Sequence, residues 1–236
     1  MRKIKFASPT FLFRHECPNS MESIMKEIAA CGFDGLELYS MFGHSAKTIA
    51  EYCKKTNLLI LCDHIHYDEF STDTENVIKS RSEIGAKYLT IDNIPNELLP
   101  GAPGFSKAVK EIERISKLCK EYGIQLLYHN HGYDLIKKVD GVPVLDLILD
   151  NIDPDLLKYQ PDLGWLALGG GDPVYYLKKY KDRCPVIHLK DYFVTEPTLL
   201  ESPFVLGTER GGAEYNYFEF RPSGYGVMNF PALMPH

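Results

Sequence analysis

The stretch EIERISKLCKEYGIQLLYHN, residues 111–130, contains the pattern that decides the fold of this chain. Apolar residues at helical spacing run up to Gly123, and a largely apolar run follows it directly. Glycine adopts the left-handed conformation that closes a helix at little cost, so this stretch predicts a helix, a glycine cap and then a strand. The strand lacks apolar and polar alternation, which is typical of a parallel strand covered by helices.

The same pattern of helix, cap and strand occurs three more times, and this repetition predicts the fold class. The cap falls on Gly32 in IMKEIAACGFDGLELY, on Asn57 in TIAEYCKKTNLLILCDH and on Gly85 in VIKSRSEIGAKYLTID. Alternating strands and helices predict an α/β protein with a parallel sheet. No Gly-x-Gly-x-x-Gly follows the first strand, so a TIM (β/α)8-type barrel is favoured over a dinucleotide-binding sheet.

The assignment places seven strands and six helices in a single domain of residues 1–236. We expect strands near 3–8, 34–39, 58–64, 87–92, 124–130, 156–161 and 185–190. We expect helices near 20–31, 45–55, 73–84, 105–121, 143–150 and 173–181, and a long loop over 192–226. Because a TIM barrel has eight strands, this count predicts that the last helix and strand are missing from the sequence. A homodimer that covers the open sheet edges is one consequence.

The composition narrows the class of protein. Of 236 residues, 44% are hydrophobic and 25% are charged, which excludes disorder as the dominant state. The net charge of −6 disfavours a nucleic-acid partner, and no apolar run reaches the roughly 18 residues of a membrane span. The six cysteines contain no Cys-x-x-Cys pair, so we expect reduced thiols in a cytoplasmic protein.

Polar side chains collect where the predicted strands end, which is where barrel enzymes build their active sites. The histidines there are His64, His66, His129, His131 and His188, and the carboxylates are Glu37, Asp162 and Asp191. Any one of these histidines is explained more simply as a hydrogen-bonding residue at a strand end. Together they are typical ligands of one divalent ion, so the set predicts a metal site.

Other side chains are candidates for contact with a substrate. Lys190 shares a strand face with His188, where an ammonium is costly unless it serves a ligand. Trp165, the only tryptophan, is expected on a loop, outside the core, as an apolar wall of the pocket. His64 and Asn130 are the other expected substrate contacts. Arg183 precedes the last strand at the opposite end and is expected to be structural.

Four segments resemble the sugar phosphate isomerase/epimerase family of xylose-isomerase-like barrels. They are GFDGLELY at 32–39, YHNHGYDL at 128–135, the run from Asp-Leu-Gly-Trp to His-Leu-Lys-Asp-Tyr at 162–192, and GYGVMNFPAL at 224–233. The spacing of Asp-x-x-Trp and His-x-Lys-Asp is specific to this superfamily but not to one substrate. The superfamily also contains inosose dehydratases and DNA-repair enzymes of the endonuclease IV type.

The resemblance implies one divalent metal ion, such as Mn, Mg, Zn or Co, at the strand ends. Asp162 matches the strand-six ligand and His188 the strand-seven ligand. The strand-five position, usually a glutamate, falls on His129, with His131 two residues further on. Epimerases of the family use carboxylates from strands five and eight as acid and base, and this sequence has neither.

These features predict a metal-dependent isomerase or epimerase of carbohydrate metabolism that acts on a sugar or sugar phosphate through an enediolate. Glu37, Lys190 and a histidine that the metal leaves free are the candidates for proton transfer. A dehydratase (lyase) that acts on a keto-sugar or an inosose begins with the same enolate and is the alternative. A non-catalytic truncated barrel also stays open, whereas the charge disfavours a phosphodiesterase.

Overall fold

The computed structural model describes residues 4–195, 199 and 218–234, apart from the side chains of residues 71 and 72. The chain divides into two compact units. The first unit comprises Met1–Ile94 and Glu111–Leu127, and the second comprises Pro95–Lys110 and Tyr128–His236. The prediction of a single domain stays a prediction.

Strands and helices alternate along most of the chain. The strands are β1 (Ala7–Pro9), β2 (Gly35–Leu38), β3 (Leu59–Ile65), β4 (Tyr88–Ile91), β5 (Gln125–His129), β6 (Lys138–Val139), β7 (Val142–Pro143), β8 (Leu157–Gln160), β9 (Asp191–Val194) and β10 (Phe218–Arg221). The helices are α1 (Cys17–Ala30), α2 (Ala46–Thr56), α3 (Tyr67–Glu83), α4 (Phe105–Glu121), α5 (Tyr133–Ile136), α6 (Val144–Asp150), α7 (Leu163–Leu168), α8 (Pro173–Lys179) and α9 (Phe230–Leu233).

Six strands form one sheet in the order β1-β2-β3-β4-β5-β8, so its strands follow one another in chain order. Strands β1 to β4 pair in parallel, with Ala7 opposite Gly35 and Cys62 opposite Tyr88. The register of β2 against β3 shifts between Leu36 and Glu37. This topology confirms the α/β class and the barrel-type succession of parallel strands.

The first unit is built on the predicted helix–cap–strand pattern. All four predicted cap residues have positive φ angles: Gly32 (87°), Asn57 (55°), Gly85 (80°) and Gly123 (73°). Such caps turn the chain at the helix end, so that the strand that follows can enter the sheet. The apolar sides of α1 and α2 then pack on β2 and β3 in a buried cluster that contains Met25, Ile49 and Leu36.

The prediction of a regular seventh strand at 185–190 is wrong. Pairing there is limited to an isolated parallel bridge between His188 and Asp162. The His188 N–H donates to Pro161 O over 2.9 Å, and the Leu163 N–H donates to His188 O over 3.2 Å. Pro185 has no N–H to donate, which weakens a ladder at the start of this segment. The next regular strand, β9, begins at Asp191.

The expected loop over 192–226 is also corrected in part. Strand β9 pairs in antiparallel register with β10, with Tyr192 opposite Phe220. Residues 196–198 and 200–217 of the expected loop lie outside the described residues. The expected absence of the last helix and strand of the barrel stays a prediction. None of the helices in the described residues combines the length and the apolar character that a bilayer span requires.

Arg183 confirms the expectation of a structural arginine and holds part of the second unit together. Its guanidinium is buried and donates to three carbonyl oxygens, those of Leu149 (2.7 Å), Ile152 (3.3 Å) and Leu157 (2.7 Å). These carbonyls lie at the end of α6, in the following turn and at the start of β8. One planar side chain therefore fixes the connection that delivers the chain into β8.

We expect Arg183→Met to destabilise the protein strongly. The change leaves buried carbonyl groups without a donor, at a cost of about 2–4 kcal/mol in the free energy of unfolding. Urea unfolding followed by circular dichroism measures this cost. The control is Arg114→Met, which removes an exposed arginine paired with Glu111 and is expected to cost about 0.5 kcal/mol or less. Equal costs for the two variants would refute the structural role.

Candidate active site

Asp162 is the centre of the candidate site in the second unit. It lies two residues after the end of β8, is fully buried and caps α7, since its Oδ1 accepts the N–H of Trp165 over 2.9 Å. Its Oδ2 receives no hydrogen bond from the part of the chain that the structure describes. Burying a carboxylate oxygen in this way is costly unless positive charge compensates for it.

Three nitrogen atoms lie near that oxygen, at distances of 3.4–3.8 Å. Lys190 Nζ lies 3.4 Å from Asp162 Oδ2, His188 Nδ1 lies 3.6 Å from it, and His129 Nε2 lies 3.8 Å from it. Burial alone would raise the pKa of Asp162, but Lys190 and then His188 stabilise the carboxylate and hold its pKa below the ordinary value. Asp162 is therefore an anion at neutral pH.

The two imidazoles are close enough to share one ligand. The ring centroids of His129 and His188 are 4.6 Å apart, and one ring nitrogen of each lies within 4.8 Å of the other. Two imidazole nitrogens and a carboxylate oxygen that lacks a hydrogen bond are a donor set that suits a divalent transition metal. These residues therefore fit the metal ion that the family resemblance implies.

His131 differs from its two neighbours in its contacts. Its ring stacks on Tyr133 at 5.5 Å between centroids and lies 5.1 Å from the ring of His129. Its backbone N–H donates to Asp134 Oδ2 over 2.8 Å, while the Tyr128 hydroxyl donates to Asp134 Oδ1 over 2.8 Å. Burial raises the pKa of Asp134 to about 7.

Asn130 ties the end of β5 to Asp162. Its Oδ1 accepts the backbone N–H of Asp162 (3.0 Å) and the hydroxyl of Tyr159 (2.6 Å), and its Nδ2 donates to the carbonyl of Asp162 (3.4 Å). The side chain is fully buried. These contacts position Asp162, and the predicted contact of Asn130 with a substrate stays a prediction.

Trp165 does not lie on a loop outside the core, and that expectation is wrong. It belongs to α7, is 1% exposed and packs with Leu168, Tyr192 and Phe218. Because Asp162 caps it, this segment forms a helix and not a loop. The apolar residues of α7 are buried. Lys190 Nζ lies 5.6 Å from the Trp165 ring and 5.1 Å from that of Phe220. The predicted contact of Trp165 with a substrate stays a prediction.

The backbone of Lys190 comes close to α7 because Gly164, which lies opposite it, has no side chain. A Cβ atom on Gly164 would lie 2.8 Å from Lys190 O and 3.0 Å from Lys190 Cβ. Only glycine fits at that contact, so the first turn of α7 lies directly against the backbone of Lys190.

Asp191 anchors the segment after β10. Its two carboxylate oxygens accept the backbone N–H groups of Tyr192, Gly224, Gly226 and Met228 over 2.9–3.0 Å. Burial alone would raise the pKa of Asp191, but these four hydrogen bonds hold it below the ordinary value. The carboxylate therefore has a structural role, because backbone N–H groups occupy both of its oxygens.

In the first unit, Glu37 and His64 contact each other. Glu37 Oε1 lies 3.0 Å from His64 Nε2, and Asp92 Oδ2 lies 3.5 Å from His64 Nδ1. Burial alone would lower the pKa of His64, but Glu37 and Asp92 raise it to about 10. The more exposed His66 contacts the other oxygen of Asp92 at 3.5 Å.

The structure thus places His129, His131, Asp162, Trp165, His188 and Lys190 near one another in the second unit, and Glu37 with His64 in the first. The sequence analysis missed Asp92, Tyr128, Asp134 and Tyr159. Asp92 directly follows an apolar strand and could have been found by the rule that located Asp162. The two tyrosines are apolar by pattern, and nothing in the sequence reveals which polar side chains their hydroxyl groups contact.

Comparison with known proteins identifies the family. Residues 25–236 match the family of xylose isomerase-like TIM barrels, so the chain belongs to that family. Over 195 residues it is 26% identical to the inosose dehydratase of Bacillus cereus (strain AH820), covering 73% of this chain and 64% of that protein. The inosose dehydratase of Bacillus anthracis matches to the same extent. The chain therefore spans slightly less than two thirds of the length of these curated relatives.

Solved structures show the same fold at lower identity. A sugar phosphate isomerase/epimerase from Parabacteroides distasonis superposes with a TM-score of 0.69 at 20% identity, covering 98% of this chain and 92% of that one. The probable 3-DHS dehydratase AsbF from Bacillus anthracis superposes with a TM-score of 0.73 at 17% identity, covering 98% and 88%. Both likenesses confirm the predicted fold.

We expect Asp191→Asn to lower the melting temperature at pH 7, because an amide offers one acceptor oxygen where four N–H groups converge. The loss is about 1–3 kcal/mol for unsatisfied buried donors. A carboxyl group whose pKa is depressed by folding stabilises the protein above its unfolded pKa of about 3.9, and this contribution is lost as the pH falls further. The gap in melting temperature between wild type and variant should therefore narrow below about pH 4.

Thermal unfolding between pH 3 and pH 7 measures this gap. Asp155→Asn is the control, because Asp155 is exposed and contacts Lys158 at 3.4 Å. A gap of constant size across this pH range would contradict the assignment.

Proposed function

We propose that this chain belongs to a metal-dependent lyase that removes water from a keto-polyol, in which Asp162, His129 and His188 hold the metal ion. The observation that carries this proposal is the buried Oδ2 of Asp162, which faces two imidazoles and an ammonium group and receives no hydrogen bond in the described part of the chain. The names of the curated relatives, inosose dehydratases, support a keto-polyol as the substrate class.

The reaction begins with removal of a proton from the carbon next to a carbonyl group. Carbon acids of this kind are weak, and the negative charge that develops on the carbonyl oxygen must be stabilised. A divalent ion, when bound, supplies that stabilisation as a Lewis acid. Asp162 would contribute the anionic ligand, and His129 and His188 would contribute neutral nitrogen ligands.

Two further side chains suit the proton transfers. His131, whose ring stacks on Tyr133, is in this proposal the base that takes the proton from carbon. Lys190 Nζ would give a proton to the departing hydroxyl group, so that water leaves. The Tyr128–Asp134 contact positions the chain that carries His131.

The isomerase or epimerase expected from the sequence is the second candidate. Isomerisation returns the proton to a neighbouring carbon and requires no departing group. The contact that favours it is the pair formed by Glu37 Oε1 and His64 Nε2 at 3.0 Å, which can share a proton. Glu37 therefore stays the candidate acid–base residue for this reaction.

Incubation with an inosose in D2O distinguishes the two candidates. A lyase incorporates deuterium next to the carbonyl and forms an unsaturated product that has lost one water, seen by NMR and mass spectrometry. An isomerase exchanges the same proton with no loss of water. Absence of exchange from a metal-loaded protein, with an inosose and with keto-sugars, would refute both.

We expect Asp162→Asn to lower the exchange rate by at least about 100-fold. A Lewis acid contributes several kcal/mol to such a barrier, and each 1.4 kcal/mol is a factor of ten. The matched control is Asp155→Asn, which changes an exposed carboxylate in the same unit and should leave the rate unchanged. Similar rates for both variants would exclude Asp162 from the reaction.

We expect Lys190→Met to lower turnover by about 10²–10⁴-fold, the usual contribution of a general acid. The melting temperature of the metal-loaded variant should stay within a few degrees of wild type. Retained turnover together with a large fall in melting temperature would instead assign Lys190 a structural role.

A further inference from the structure

Lys190 lies beside the oxygen of Asp162 that is proposed as a metal ligand. Its Nζ, at 3.4 Å, is closer to Asp162 Oδ2 than either histidine nitrogen. The rings of Trp165 and Phe220, whose centroids are 5.8 Å apart at an angle of 79°, form a corner beside the ammonium group. The ammonium group is thus held by one carboxylate oxygen and two aromatic rings.

We propose that Lys190 is the resident counter-ion of Asp162, that a divalent ion displaces it from Oδ2, and that only the displaced ammonium is available to the substrate. This inference rests on the proposed function, because it takes Asp162 as a metal ligand. It adds an order of events: the metal ion binds first, and the oxygen-rich substrate then meets a lysine that is no longer paired with Asp162.

The geometry requires an exchange because Asp162 has a single oxygen to offer. Its Oδ1 is used by the N–H of Trp165, and the backbone of Asp162 is bonded to Asn130. A metal ligand oxygen lies about 2.0–2.2 Å from zinc, so the ion would take the side of Oδ2 that the nitrogens now face. Two like charges on one oxygen in a buried site repel strongly.

The surroundings provide a place for the displaced ammonium group. Aromatic faces attract cations, and Trp165 and Phe220 lie within 6 Å of Lys190 Nζ. The Lys190 side chain is 28% exposed, whereas Asp162 is fully buried, so only the lysine can move toward solvent. A displaced ammonium group at this corner can donate to a carbonyl or hydroxyl oxygen of the substrate.

The second unit contains a matched control for this arrangement. Lys179 Nζ lies 3.0 Å from Asp146 Oδ1 and 4.9 Å from the ring centroid of Tyr180, and its side chain is 27% exposed. Like Lys190, it contacts a carboxylate and an aromatic ring. It differs in that Asp146 also accepts the hydroxyl of Tyr180 and that a second carboxylate, Asp150, lies 3.5 Å from Lys179 Nζ.

The experiment is calorimetric titration of the full chain with Zn²⁺, for wild type, Lys190→Met, Lys190→Gln, Lys179→Met and Asp162→Asn. Binding lost in Asp162→Asn defines the site. We expect both Lys190 variants to bind Zn²⁺ at least about ten-fold more tightly than wild type, because no ammonium group must leave. Lys179→Met should bind within about two-fold of wild type. Two Lys190 variants protect the test against one that fails to fold.

Fluorescence of Trp165, the only tryptophan, gives a second readout. Zn²⁺ is not paramagnetic and does not quench the indole by that route, so the part of the emission change that requires Lys190 reports movement of the ammonium group next to the ring. Wild type and Lys179→Met should show the change, and the Lys190 variants should show less than half of it.

The outcomes separate this inference from the function on which it rests. Equal or weaker Zn²⁺ binding by both Lys190 variants overturns the exchange and leaves the metal site intact. Absence of Asp162-dependent binding in wild type and in the Lys190 variants overturns the metal site itself, and the exchange with it. Equal tightening in Lys179→Met overturns the exchange as well, because the effect is then one of net charge.

Discussion

The second unit depends on the buried carboxylate of Asp162, of which one oxygen accepts a hydrogen bond and the other receives none from the described residues. Its Oδ1 accepts the N–H of Trp165 and so caps the start of α7. Its backbone N–H donates to Asn130, which fixes it to the end of β5. Its Oδ2 then carries negative charge in a place that water does not reach, where charge must be compensated by a nearby cation. Lys190 and two imidazoles lie around Oδ2 for this physical reason, and the chemistry proposed for the site follows from it.

Comparison of the buried carboxylates separates structural roles from functional ones. Asp191 accepts four backbone N–H groups, and Asp134 accepts one hydroxyl and one N–H, so both oxygens of each are occupied by the fold. Of these three carboxylates, Asp162 is the one with an oxygen that the described chain leaves without a hydrogen bond. Asp191 and Asp134 are therefore used by the fold, whereas Asp162 keeps one oxygen that can face a cation.

The sequence predicts the parts of the structure that follow local rules. Helix caps at Gly123 and Asn57 and the strand ends at His129 and Asp162 were identified because backbone preference and parallel topology determine them. The hairpin of β6 and β7 was missed although Asp140 and Gly141, both with positive φ, carry its usual turn sequence. The burial of Trp165 was not predictable, because it depends on β10, which pairs with β9 across a long stretch of chain.

The donor set around Asp162 also bears on which ion the site prefers. With one carboxylate oxygen and two imidazole nitrogens, the proposed site offers mainly nitrogen, because His129 stands where the family resemblance leads one to expect a glutamate. Magnesium prefers oxygen ligands and gives up its water reluctantly, whereas imidazole suits zinc and other late first-row metals. Lys190 adds a positive charge that a weakly held ion would have to displace. Both effects disfavour magnesium, so of the four ions considered, zinc and cobalt fit the site better than manganese, and magnesium fits it least.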